Sequence, residues 1–138
     1  MENKVIVKNV DIYRLIGLGP SGHSVVMDSN YQNGTNSAVW PMELMLHSLG
    51  GCTGIDVLSI MNKMQVNYSG FEIEITYKKA EEHPKVYTDI NLKYRMHASE
   101  KDMAKIEKAV RLSQDKYCSV SAMLKKAGVN MTYEIELY

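Results

Sequence analysis

The sequence predicts an α+β fold, an antiparallel sheet with one long central helix. Three observations predict it. From Pro41 to Met64 apolar side chains recur at steps of three and four with no further proline, which is the period of a helix. The stretches 71–77, 86–96 and 129–137 alternate apolar and polar residues, the period of strands with one dry face. Before residue 28, short β-branched runs are separated by a glycine- and proline-bearing turn.

The elements follow in order. Lys4 to Ile16 and His23 to Met27, separated by Gly17-Leu18-Gly19-Pro20-Ser21-Gly22, read as a small N-terminal β-meander. Ser29 to Ser37 has the polar, Asn- and Gly-bearing composition of a loop. Pro41 suits the first helical turn, where a missing N–H leaves no bond unmade. The apolar positions of the helix (Leu44, Met45, Leu49, Cys52, Ile55, Val57, Leu58, Ile60, Met61, Met64) cover more than one stripe, so it is expected to be buried on several sides. Next, Phe71, Ile73, Ile75 and Tyr77 face one way, a turn falls at Glu82-His83-Pro84, and Val86, Thr88, Ile90, Leu92, Tyr94 and Met96 face inward on the return strand. Ser99 offers an N-cap with Glu100 and Asp102 in the first turn, and Met103, Ile106, Val110 and Tyr117 mark one side of the helix that follows. A shorter helix, Val120 to Ala127, stops at Gly128. Val129, Met131, Tyr133, Ile135 and Leu137 form the inner face of a last strand.

Composition bounds the function. A chain of 138 residues with 45% hydrophobic and 23% charged residues is expected to form a single globular domain, 1–138. Sixteen basic and sixteen acidic residues cancel, which leaves no net field for nucleic acid or an anionic membrane surface as partner. The N-terminus lacks a signal-like apolar stretch and no run of membrane-spanning apolar length is read, so a cytoplasmic protein is expected. The four histidines, His23, His47, His83 and His97, show no ligand spacing, and no metal or other cofactor is expected. Ten methionines supply adaptable apolar volume for a core or a permissive pocket.

Chemistry concentrates at the two cysteines. Cys52 lies in Gly50-Gly51-Cys52-Thr53-Gly54, and each helix-interior glycine costs about 1 kcal/mol against alanine, a cost accepted when something must approach the backbone closely. Cys118 lies in Lys116-Tyr117-Cys118-Ser119-Val120-Ser121 between two helical pieces, where a helix N-terminus would favour its thiolate. A lone buried cysteine is commonly a small hydrophobe, and both residues keep that second reading. Two cysteines in a reducing compartment are free thiols or a catalytic pair sooner than a permanent staple, and they are expected to meet in the fold.

Trp40-Pro41-Met42-Glu43-Leu44-Met45-Leu46-His47-Ser48-Leu49-Gly50-Gly51-Cys52 and Leu112-Ser113-Gln114-Asp115-Lys116-Tyr117-Cys118-Ser119-Val120-Ser121 resemble the two cysteine motifs of the OsmC/Ohr family, and Gly19 to Asp28 resembles its early hairpin. The resemblance covers nearly the whole chain. It implies an OsmC-like fold, an intertwined homodimer with central helices back to back, and thiol-dependent reduction of organic hydroperoxides in oxidative-stress defence. Carried over, Cys52 is the peroxidatic and Cys118 the resolving cysteine, with an external thiol as reductant. In peroxidase members an arginine of the early hairpin and a glutamate just after the proline activate the cysteine; here the first place falls on or near Pro20 and the second holds Met42. Glu43, one place later, and Arg14, on an early strand, are the candidates to rebuild that pair, with Lys116 as a further cation. Asp56, one turn after Cys52, would raise the thiol pKa unless a cation intervenes. The alternative reading is a non-peroxidase dimer of this type that binds a small apolar or electrophilic ligand at a cysteine-bearing interface pocket.

Overall fold

The computed structural model describes residues 3–138, which fall into two compact units, one ending at His47 and the other comprising Ser48–Tyr138.

The first unit carries the expected meander. Strands β1 (Ile6–Asp11), β2 (Arg14–Leu18) and β3 (Ser24–Met27) form an antiparallel sheet in that order, with Lys8 opposite Ile16 and Ile16 opposite Val26. The β2–β3 turn sits where the glycines put it, with Gly22 at φ 79 and its N–H bonded to Gly19 O at 3.1 Å. The β1–β2 turn falls instead at Ile12-Tyr13, where no glycine announces it. Ile12 takes φ 43, a left-handed conformation that costs an L-residue of order 1–2 kcal/mol. Asn9 offsets this by donating its amide to both Ile12 O and Arg14 O, each at 3.2 Å.

Helix α1 spans Pro41–Lys63, within a residue of its expected end. Its burial differs from expectation. Leu49, Thr53, Val57 and Met61 are fully buried along one stripe, whereas Met45 and Ile55 are 43% and 70% exposed. The chain by itself therefore covers one face of the helix and leaves another uncovered, on which Ile55 stands among the exposed Ser48, Gly51 and Ser59. The glycines divide in the same way. A Cβ on Gly50 would meet Ile75 Cδ1 at 3.2 Å and one on Gly54 would meet Ile73 Cδ1 at 3.5 Å, while one on Gly51 would meet nothing within 4 Å. Gly50 and Gly54 thus admit strand side chains against the helix backbone. By length and apolar composition the helix would pass as a membrane span, contrary to the expectation that no such run is present, yet its buried stripe packs within the protein.

Strands β4 (Tyr68–Lys79) and β5 (Tyr87–Ala98) pair antiparallel, with Ile75 opposite Leu92. A register shift at Lys78/Lys79 inverts the alternation at the start of β5, so Tyr87 is buried and Val86 is 52% exposed, opposite to the simple two-residue pattern. From Ile90 onward the expected dry face holds: Ile90, Leu92, Tyr94 and Met96 are buried.

The last strand, β6 (Asn130–Leu137), corrects the all-antiparallel expectation. It pairs parallel to β5, with Leu92 opposite Tyr133. The helical excursion between them returns the chain to the end of the sheet where β5 began, and a crossover of that kind makes neighbouring strands parallel. Tyr133 is 42% exposed rather than facing in.

That excursion opens with Ser99, whose Oγ accepts from Lys101 N, followed by a 3₁₀ turn (Glu100–Asp102) and helix α2 (Met103–Leu112). Ile106, Ala109 and Val110 bury its inner face. A π-helical segment, Ser113–Tyr117, then widens the winding before helix α3 (Ser119–Lys126). This shifts the phase by which Tyr117 was placed on the inner face, and Tyr117 is 51% exposed. Helix α3 ends as the sequence indicates. Gly128 takes φ 93, its N–H meets Lys125 O at 3.0 Å and the Val129 N–H meets Leu124 O at 3.1 Å, the bonding pattern of a Schellman cap.

Candidate functional site

Two thiols and a carboxylate converge in the second unit. Cys52 Sγ and an oxygen of Asp56 project from successive turns of α1, and together with Cys118 Sγ they lie within 4.8 Å of one another. Both cysteines are free thiols; Cys52 is half-buried and Cys118 is buried. The expected meeting of the two cysteines is thus a feature of the fold.

The π-helical segment places Cys118. The Cys118 N–H reaches back to Ser113 O at 2.8 Å, and the chain leaves the segment extended, with Cys118 at φ −75, ψ 103 as the N-cap of α3. Its sulfur accepts from the Ser121 N–H at 3.4 Å. A helix N-terminus was expected to favour the thiolate. Burial overrides it: desolvation pushes the Cys118 thiol up to about 11, with the Cys52 thiol and the Asp56 carboxylate acting in the same direction and the Ser121 N–H opposing them. Cys118 is protonated at neutral pH.

Behind Asp56 runs a buried polar chain that was not anticipated. Ser113 Oγ donates to Asp56 Oδ2 at 3.0 Å, which commits its only proton. Thr53 Oγ1, at 2.7 Å from Ser113 Oγ, must then donate to it, and Tyr94 OH, at 2.6 Å from Thr53 Oγ1, must donate in turn. Gln114 Nε2 donates to both Thr53 Oγ1 and Tyr94 OH at 3.1 Å, and its Oε1 accepts from Ser121 Oγ at 2.8 Å. The charge on Asp56 fixes the sense of the series from Tyr94 through Thr53 and Ser113. Burial pushes the Tyr94 phenol up to about 12, so it remains a donor. Lys125 Nζ donates to Gln114 O at 2.7 Å and fixes the segment from outside. Among the described residues no buried side-chain nitrogen or oxygen lacks a partner. One signal of this chain was available in the sequence: Thr53 stands between Leu49 and Val57 at four-residue steps on the buried stripe, where a polar residue needs a partner.

The other candidates have partners of their own. Arg14 donates from Nη1 to Asp11 Oδ2 at 2.8 Å, from Nε to Ser37 Oγ at 2.9 Å and from Nη2 to Thr35 Oγ1 at 3.1 Å. These bonds fasten the loop after β3 around Asp28, which is buried and accepts from Ser29 N, Ser37 N, Ser37 Oγ and Thr35 Oγ1. Hydrogen bonds from Ser37 and Thr35 hold the Asp28 carboxyl well below the usual carboxylate range. Glu43 Oε1 lies 3.3 Å from His47 Nε2, one turn along α1. Arg14 and Glu43 therefore have separate partners and do not form the activating pair that the family resemblance called for. The Lys116 ammonium lies over the Tyr117 ring, 5.2 Å from its centroid.

Residues 34–134 match the family model described as OsmC-like protein. The chain is 39% identical over 131 residues to Protein YhfA of Escherichia coli K12, covering 95% of each chain. A hypothetical protein from Aquifex aeolicus VF5 shares the fold at TM-score 0.77 with 30% identity, covering 100% of this chain and 98% of that one. An organic hydroperoxide resistance protein OsmC from Legionella pneumophila matches at TM-score 0.69 and 12% identity over 97% of both chains, a likeness of fold.

Proposed function

From the premise that this chain belongs to the OsmC-like protein family, we propose that Cys52 and Cys118 are the working thiols of a cytoplasmic homodimer that reduces hydroperoxides. The observation that carries this reading is the convergence of the two sulfurs, with the more accessible one on Cys52. Cys52 thiolate attacks the terminal oxygen of the hydroperoxide. The O–O bond breaks, Cys52 becomes a sulfenic acid and the alkoxide takes a proton to leave as the alcohol. Cys118 then attacks the sulfenic sulfur; the S–S bond forms, and the hydroxyl leaves with the Cys118 proton as water. Two equivalents of an external thiol reduce the disulfide. Sulfurs within 4.8 Å reach a bond of about 2.05 Å by side-chain rotation and a small backbone adjustment, without refolding. The dimer reading rests on the family resemblance and is supported by the uncovered side of α1, where the large hydrophobics Met45 and Ile55 are exposed.

The separate partners of Arg14 and Glu43 favour a second reading, a non-peroxidase dimer that binds a small apolar or electrophilic ligand at the same thiols. Cumene hydroperoxide with a dithiol reductant separates the two. The peroxidase reading expects turnover in the wild type, none in Cys52→Ser, and no intramolecular disulfide in Cys118→Ser. Turnover no faster than the free reductant, with no disulfide after one equivalent of oxidant, would overturn it.

A further inference from the structure

We propose that Cys52, Asp56 and Cys118 form a binding site for a thiophilic divalent cation of the zinc class. Three ligand atoms of suitable chemistry, two sulfurs and a carboxylate oxygen, already lie within 4.8 Å of one another. In a tetrahedral zinc site with Zn–S of about 2.3 Å, two sulfurs stand about 3.8 Å apart, so the pair needs to draw in by no more than about 1 Å. Two soft ligands and one hard one suit zinc or cobalt and disfavour calcium and magnesium, which take oxygen ligands throughout. The fourth position is left to water or an added ligand.

The surroundings supply the outer support that metal ligands need. Asp56 is oriented by Ser113 Oγ, itself held by Thr53 and through it by Tyr94, and the Cys118 sulfur is oriented by the Ser121 N–H. Binding is balanced as one M²⁺ displacing two thiol protons, with Asp56 ligating as its carboxylate. No histidine takes part, and the two thiols are distant in sequence, so no short ligand motif betrays the site. The site stands on this geometry alone and does not depend on the peroxidase reading. It does exclude the disulfide: a metal-loaded pair cannot condense, and an oxidised pair cannot bind.

Cobalt(II) titrated anaerobically into the reduced, full-length protein tests the site. A thiolate-to-cobalt charge-transfer band with tetrahedral ligand-field bands, saturating at one equivalent and reversed by zinc, is expected. Cys52→Ser and Cys118→Ser should each lose at least half of the charge-transfer intensity, and protein oxidised to the disulfide should show none. Ser113→Ala keeps all three ligands and should weaken cobalt binding by about tenfold or more through loss of the carboxylate's support. Absence of a charge-transfer band in the reduced wild type would overturn the proposal, whatever the variants do. So would a band unchanged in Cys118→Ser, or one equally strong in the oxidised protein.

Discussion

Thr53 is the hub of the buried polar chain, and its replacement by valine tests whether that chain is structural. The substitution keeps the shape and removes the hydroxyl. It deletes contacts of 2.6 Å to Tyr94, 2.7 Å to Ser113 and 3.1 Å from Gln114. At about 1 kcal/mol net per buried hydrogen bond, the loss is about 3 kcal/mol, and more if Tyr94 or Ser113 is left short of a partner. Thr53→Ser keeps the hydroxyl and removes one buried methyl, worth about 1 kcal/mol. Urea denaturation with unchanged slope should therefore rank the wild type above Thr53→Ser and Thr53→Ser above Thr53→Val. The reverse order would refute the reasoning, because it would mean that packing at position 53 outweighs the hydrogen bonds. Thr53→Val should also slow Cys52–Cys118 disulfide formation, since it loosens the Ser113 segment that carries Cys118.

Alkaline pH should destabilise the fold. The Cys118 thiol and the Tyr94 phenol are raised to about 11 and about 12, so between their unfolded values and these the folded state holds more protons than the unfolded one. Their contribution is complete below about pH 9 and falls as pH rises, by about 1.4 kcal/mol per pH unit for each group while its proton remains bound only in the folded state; thermal melts of Cys118→Ala across this range should show a shallower fall. Ile55→Asp, at the 70% exposed position on α1, should halve the mass measured by light scattering while leaving the single-chain fold intact, and an unchanged mass would remove the α1 face as the dimer contact.

Much of the scaffold was legible because its signals are local. Pro41, the helical spacing after it, Ser99 as a cap and Gly128 as a stop each act within a turn or two of backbone, and the structure places α1, α2 and α3 accordingly. The Ile12-Tyr13 turn escaped because its signal is a side-chain amide three residues upstream rather than a glycine. Tyr117 was misplaced because a single π-helical segment shifts every later residue around the axis, and no local propensity marks it.

The sequence by itself determined the order of elements, the bounds of α1 and the two cysteine motifs that mark the family. These depend on short-range spacing and on residue identity. Only the tertiary structure decided that β6 joins the sheet parallel to β5, that one side of α1, bearing Ile55, stays uncovered, and that burial pushes the Cys118 thiol up. The physical reason is common to all three. Strand pairing, burial and desolvation are properties of neighbours distant in the chain, and the same Cys118 that local logic would ionise at a helix N-terminus is kept protonated by what folds around it.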